Sequence, residues 1–382
     1  MHLALNGWFW NSPTTGSGHY IRQLAKALAD GDADMQITVV VPSGGRRDCP
    51  GSDLDLAPSC ALQPIPCGRS NLAKVQFEQT VFPRACGRLG ADVAHVPYWA
   101  PPVRSPVPLV VTIHDLIPLV MRHYRGGPLQ RLYTALVGAT ARGAALVLTD
   151  SDASRSDILQ KLGLSEKRVR VVPLAADDRY GPEPHAEDTT IRAACGLPDR
   201  YILYLGGFDR RKNLAVVLAA YGWAGPAIGE ECRLVIAGRL PDRDSPFAPD
   251  PRRLMREMNV PDELVHLIGF VAEKDKPAIY RGAVAFIFPS RYEGFGLPPL
   301  EAQACGTPVV ASDAGSLPEI VGDAGILLPP DDARGMGGML IQLALDDRFR
   351  ADMSGRAVAQ AARFSWERTA EATRAAYRDV RE

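Results

Sequence analysis

Residues 283–313 constrain this chain more than any other stretch. Residues 283–288, Ala-Val-Ala-Phe-Ile-Phe, are a continuous apolar run of the kind a parallel strand buried on both faces requires. A glycine-containing loop follows, with Glu293, Gly294, Phe295 and Gly296, and then Leu297-Pro-Pro-Leu-Glu301. That last run reads as a helix start, because a proline in the first turn lacks an N–H that would have no helical partner anyway. Gly306 ends the helix, and residues 307–311 read as the next strand. Strand, loop, helix and strand in this order make one unit of a doubly wound α/β sheet.

Such sheets bind ligands beyond the carboxyl ends of their strands, where the loop before the helix turns backbone N–H groups outward. Phe295, Gly296 and Leu297 therefore read as an anion cradle, the two glycines letting a phosphate approach the backbone closely. Glu293 lies in the loop and Glu301 about one turn into the helix. A carboxylate beside a phosphate site does not hold the phosphate; it accepts hydrogen bonds from hydroxyls. A nucleoside diphosphate with hydroxyls at both ends satisfies every part of this arrangement.

The stretch resembles the E-x7-E signature of retaining GT-B glycosyltransferases of family four, with Glu293 and Glu301 as the two acids. The likeness runs on through residues 309–328, including Gly315-Ser-Leu-Pro-Glu319. It implies two Rossmann-like, doubly wound domains facing a cleft, with Glu301 holding the nucleotide ribose and Glu293 the hydroxyls of the donor sugar.

A chain of 382 residues exceeds one typical core, so two domains are expected. The boundaries read as an acceptor domain over 1–176, a nucleotide-sugar domain over 187–362, and a C-terminal helix over 363–382 that braces the first domain. The net charge of −1 argues against a nucleic-acid partner. No run of about 18 apolar residues suggests a membrane span. The N-terminus reads as a strand and lacks the basic region of a signal peptide, so the expected location is the cytoplasm. Seven cysteines without a C-x-x-C pair read as structural thiols.

In the first half, Ile21, Leu24, Ala25 and Leu28 keep helical spacing, so Gly16 and Gly18 mark a loop feeding a helix. By its own sequence this is an ordinary strand-to-helix turn; in the resembled family it touches the donor diphosphate or the acceptor. His19 belongs to the acceptor side or to the helix cap. Residues 42–67 have no steady period and read as loops around short elements. Tyr98 and Trp99 follow a short strand over 92–97, where aromatic faces suit stacking on a sugar or packing in the core. A buried strand over 109–113 delivers His114 and Asp115 to its carboxyl end. The resemblance makes His114 a group that reaches the donor sugar and leaves Asp115 on the acceptor side. Residues 121–133 carry four basic or imidazole groups among aromatics, either a solvated helix face or a basic patch for a phosphate-bearing lipid acceptor or anionic bilayer.

The second half opens as strand, glycine turn and basic loop over 201–214, with a linker placed near 176–186. Beside the glycine turn, Arg211 and Lys212 suit a clamp that neutralises a leaving diphosphate. Many relatives have an arginine where this chain has Gly207, which leaves open which arginine completes the clamp. The resemblance pairs the main chain of Leu267 and Ile268 with the nucleobase edge.

Together these features predict transfer of a hexosyl group, mannose first, from a nucleotide-diphosphate sugar to a hydroxyl of a glycan or lipid-linked sugar. GDP-mannose is the first choice of donor and a UDP-sugar the second; neither a cofactor nor a metal is expected. Peripheral contact with the inner membrane face is a further expectation. The alternatives are a nucleotide-sugar epimerase of the same fold and a non-enzymatic nucleotide-sugar binding protein.

Overall fold

The computed structural model describes residues 1–31, 34–43, 57–68, 70–229 and 231–381. The chain divides into two compact units, Met1–Leu174 with Ser365–Glu382, and Ala175–Phe364.

The first unit is built on a parallel sheet of seven strands: β1 (His2–Asn6), β2 (Gln36–Ser43), β3 (Cys60–Pro66), β4 (Val93–Val96), β5 (Leu109–Thr112), β6 (Leu146–Thr149) and β7 (Val169–Val171). Their order is β3-β2-β1-β4-β5-β6-β7, so the chain builds outward from β1, returns, and continues from β4 on the other side. That reversal is a topological switch point, which places a crevice at the carboxyl ends of β1 and β4. Leu3, Ala4, Leu5, Val110 and Val111 have no solvent exposure, because parallel strands are covered by helices on both faces.

Residues 42–67, read as loops around short elements, include one strand that the sequence did not place. β3 pairs in parallel with β2 from Ile37↔Cys60 to Ser43↔Pro66. It is an edge strand with mostly half-exposed or exposed residues, so it lacks the apolar run of its neighbours, and edge positions tolerate Pro64 and Pro66. Residues 44–56 of the same stretch lie outside the described residues.

The helix Trp366–Arg381 belongs to the first unit. Thr369 donates to the Pro173 carbonyl at 2.7 Å, and Tyr377 and His95 share a hydrogen bond of 2.7 Å. Burial pushes the His95 imidazole down to about 3, so it stays neutral in the core. Trp366 packs against Tyr20, with ring centroids 6.2 Å apart.

The second unit repeats the plan with six parallel strands: β8 (Tyr201–Leu205), β9 (Arg233–Ala237), β10 (Val265–Gly269), β11 (Ala285–Phe288), β12 (Val309–Ser312) and β13 (Ile326–Leu328). The order β10-β9-β8-β11-β12-β13 puts the switch point between β8 and β11. Residues 176–186, read as a linker, include Tyr180, which is buried in this unit's core. Where β8, β9 and β10 end, Gly206 donates to Ala237 O at 3.0 Å and Gly238 to Gly269 O at 2.8 Å. A Cβ on Gly238 would overlap the Gly206 carbonyl oxygen. Among the described residues no helix is long and apolar enough to cross a membrane.

Gly238→Ala must move two strand ends apart to relieve that overlap. A loss of about 1–3 kcal/mol is expected from thermal or denaturant unfolding, and an unchanged midpoint would contradict the close packing of these ends.

Candidate functional site

The second unit's site is organised by a turn and a loop at its switch point. Residues Arg210–Lys212 form a single 3₁₀ turn after β8. The Asp209 carboxylate caps its start by accepting from the Arg211 N–H at 3.3 Å. Asn213 ends it in the left-handed region at φ 60°, a conformation asparagine adopts more readily than most residues. The Asn213 side-chain amide also donates to Pro289 O at 3.1 Å and to Pro330 O at 2.7 Å, tying the turn to the loop after β11.

The turn delivers two cations to one carboxylate. Arg211 Nη1 donates to Glu293 Oε2 at 2.5 Å, Lys212 Nζ donates to Oε1 at 2.7 Å, and Ser290 Oγ donates to Oε1 at 2.6 Å. Three of the carboxylate's roughly four acceptor positions are therefore used within the protein. All three charged side chains are 14% exposed or less. Burial by itself raises the Glu293 pKa, but Lys212 and Arg211 outweigh it and hold the carboxyl below its ordinary range. Burial and the neighbouring Arg211 lower Lys212, against the pull of Glu293. Arg210 is exposed instead, so Arg211 is the arginine that joins Lys212.

Behind Glu293 the backbone is held from the next crossover. Ser316 Oγ donates to Glu293 O at 3.1 Å and also to Phe295 O. Gly315 sits at φ 59°, where a Cβ would come within 2.8 Å of Glu293 O and 2.9 Å of Glu293 N. Phe295 is 5% exposed and packs edge-on against Phe364, so only its backbone remains for the predicted cradle. Gly296 takes φ 117° and begins the helix Leu297–Ala304. Pro298 and Pro299 bring no N–H, which narrows the helix's own first-turn contribution to a cradle to Leu297.

Glu301 lies on that helix and is half-buried. Tyr280 Oη donates to Glu301 Oε2 at 3.0 Å. Burial raises the Glu301 pKa, with Lys276 opposing. Leu267 and Ile268 lie on β10, the edge of the sheet, where the register shifts between Leu267 and Gly269. An edge with a shifted register leaves main-chain groups open for pairing. Gly207 is exposed, and its carbonyl accepts from Tyr204 Oη at 2.5 Å.

In the first unit, His114 stands two residues beyond β5, and Asp150 directly follows the adjacent β6. His114 Nδ1 is 2.7 Å from Asp150 Oδ2, and Nε2 is 3.3 Å from the Pro97 carbonyl oxygen. A carbonyl only accepts, so Nε2 carries a proton, and Nδ1 faces a carboxylate. Burial lowers the His114 pKa, but Asp150 outweighs it and the net shift is upward. The arrangement is that of an imidazolium donating at both nitrogens.

Other expectations change on inspection. The helix begins at Gly16 itself, so Gly16, Gly18 and His19 form its first turn and not a loop before it. A Cβ on Gly18 would overlap the Ser12 carbonyl, whereas Gly16 has open space around it. Tyr98 is a core residue at 5% exposure, donating to Asn6 Oδ1 at 3.1 Å and meeting Phe9 edge-on, so it offers no stacking face. Trp99 is half-buried and packs against the same core. Asp115 Oδ1 accepts from Ile117 N at 2.9 Å, a local turn contact.

Comparison with known proteins decides the family. The model for "Glycosyl transferases group 1" matches residues 188–360, and that for "Glycosyltransferase Family 4" matches residues 14–180. The O-antigen chain mannosyltransferase B of Escherichia coli is 33% identical over 270 residues, covering 70% of each chain. The chain belongs to the group 1 glycosyltransferases. The serotype-specific mannosyltransferase WbdA of Escherichia coli is 27% identical over 270 residues, and the match spans 68% of this chain but only 32% of WbdA. Sucrose-phosphate synthase from Thermosynechococcus elongatus superposes with a TM-score of 0.76 at 24% identity, covering 100% of this chain and 99% of that one. The fold of this glycosyltransferase is accordingly GT-B.

Sequence reasoning missed Asp150, Asn213, Ser290, Tyr280 and Ser316, each of which orients a group it did find. Asn213 had a local signal, an asparagine closing a basic turn, and Ser290 lies three residues before Glu293; Asp150, Tyr280 and Ser316 meet their partners across 21 to 36 residues of sequence.

Two measurements test the electrostatics of this glycosyltransferase. Because the folded pKa of Glu293 is depressed, its contribution to stability is complete above the unfolded value of about 4.3 and is lost as pH falls through the folded value. Glu293→Gln should flatten the acid limb of the melting profile, and coincident acid limbs would rule out the depressed pKa. Asp150→Asn should lower the His114 titration midpoint followed by NMR; an unmoved midpoint would remove Asp150 as its cause.

Proposed function

We propose that this glycosyltransferase moves a mannosyl group from GDP-mannose to a hydroxyl of a glycan or lipid-linked acceptor, with retention of configuration. The observation that carries the reading is the Arg211–Glu293–Lys212 cluster. Arg211 and Lys212 are held side by side on one short turn, sharing the buried Glu293 carboxylate, with Asp209 3.6 Å from Arg211, in the unit that carries the helix Leu297–Ala304. A pair of cations fixed in this way suits the developing charge of a leaving diphosphate. The choice of mannose draws on the names of the Escherichia coli relatives, and a UDP-sugar is the alternative donor.

In this reading Lys212 and Arg211 stabilise the diphosphate as the bond from its oxygen to the sugar C1 breaks and the electron pair leaves with the phosphate. The acceptor oxygen bonds to C1 on the same face, and its proton passes to the departing phosphate oxygen. Glu293 holds the two cations in place and has one acceptor position left for a donor-sugar hydroxyl. Glu301, steadied by Tyr280, takes the ribose hydroxyls, and the main chain of Leu267 and Ile268 pairs with the base. Both His114 nitrogens face acceptors, the Asp150 carboxylate and the Pro97 carbonyl, so neither offers a lone pair for a base. No metal is needed where these cations neutralise the diphosphate.

Lys212→Ala and Glu293→Ala should each lower transfer by roughly a hundredfold to a thousandfold while unfolding remains cooperative. Full activity in either folded variant would refute the assignment. A melting panel with GDP, UDP and ADP tests the donor, since a nucleotide at about 100 times its Kd stabilises the native state by about 2.7 kcal/mol. A rise confined to GDP is expected. A rise confined to UDP selects the alternative donor, and no rise with any nucleotide would overturn the reading.

A further inference from the structure

The helix Pro128–Ala141 buries one face through Thr134, Val137, Gly138, Thr140 and Ala141. Its opposite face should be polar in an ordinary surface helix. Instead Leu129, Leu132 and Leu136 are 83%, 68% and 37% exposed, at spacings of three and four residues that place them in one stripe.

Two further apolar side chains project from elements braced to this helix. Leu72, on the helix Asn71–Gln76, is 78% exposed, and Val103 is 62% exposed. The π-helical turn Phe77–Val81 continues directly from Asn71–Gln76 and holds the group together. Tyr133 Oη donates to the fully buried Glu78 at 3.1 Å, fastening the leucine-bearing helix to that turn. Gln79 donates to Pro101 O at 3.2 Å and accepts from Val103 N at 2.9 Å, fastening the loop that carries Val103. The apolar residues thus stand on a fixed framework within the first unit.

The charge around the stripe has one sign. Between Asp115 and Asp150 the sequence holds no acidic residue, and Arg122, His123, Arg125 and Arg131 are all exposed. The whole chain carries a net charge of −1, so this segment departs from the average in a definite direction. An apolar stripe flanked by arginines, with no carboxylate among them, is the pattern of a helix lying in the interface of an anionic membrane.

We infer that the face formed by Leu129, Leu132 and Leu136 with Arg122, Arg125 and Arg131 docks this chain onto an anionic lipid bilayer. The leucines enter the boundary between headgroups and acyl chains while the guanidinium groups meet lipid phosphates. The contact needs neither nucleotide nor acceptor, so its test is separate from that of the transfer reaction.

Co-sedimentation of the full chain with vesicles reads this contact directly. Binding is expected to vesicles of phosphatidylcholine mixed with phosphatidylglycerol, to weaken as salt rises, and to be absent with phosphatidylcholine alone. The triple variant Leu129→Gln, Leu132→Gln, Leu136→Gln should lose roughly tenfold or more of that binding. Each of Arg122→Gln and Arg125→Gln should lose about fivefold. Melting midpoints should stay unchanged, because the altered side chains are exposed. No binding to the anionic vesicles would overturn the inference, as would full binding by the triple variant. Self-association that the triple variant abolishes, without vesicle binding, would assign the face to a second copy of the chain instead.

Discussion

The second unit depends on one interaction, the sharing of the Glu293 carboxylate by Arg211 and Lys212. These groups are 82 and 81 residues apart in sequence, and they meet because β8 and β11 are neighbours in the sheet. Desolvating three charges is costly, and the cost is offset only while all three remain paired. The serine and asparagine contacts around them make sense in that light. Ser290 supplies a further hydrogen bond to the carboxylate, and Asn213 keeps the basic turn against the loop. Gly315 and Ser316 hold the Glu293 backbone from behind.

The first unit uses a smaller version of the same device. His114 and Asp150 emerge from the neighbouring strands β5 and β6, and their pairing explains why a largely buried imidazole is shifted toward its charged form. In both units a parallel sheet carries successive chain segments to one edge, and charges placed there find partners on the adjacent strand. The two units therefore present their ionised groups by the same topological means, although the groups themselves differ.

The apolar runs over 283–288 and 109–113 were plain in the sequence because strands buried on both faces leave no room for polar residues. Glu293, Glu301 and Lys212 could be found for a related reason: each sits at a known offset from such a run. β3 was hidden, since an edge strand lacks the run and its prolines resemble loop residues. Tyr98 and Trp99 share a strand-end position that looks open in sequence, yet packing covers Tyr98 and half-buries Trp99. Asp115 sits beside His114, but its carboxylate turns back to cap the chain two residues on. The exposed leucines of Pro128–Ala141 have ordinary helical spacing, so only burial shows which face is left outside.

By itself the sequence determined that the chain forms two doubly wound α/β units and where the strand-end loops of the second must lie, because hydrophobic periodicity and glycine and proline placement act locally. It also limited the ligand chemistry, since two acids and a basic turn at strand ends suit few small molecules. Only the tertiary structure decided that Arg211 and not Arg210 joins Lys212, that Glu293 is already occupied by both cations, and that Asp150 pairs with His114. Those outcomes depend on distances between side chains carried by neighbouring strands, and strand order is not a local property of any segment.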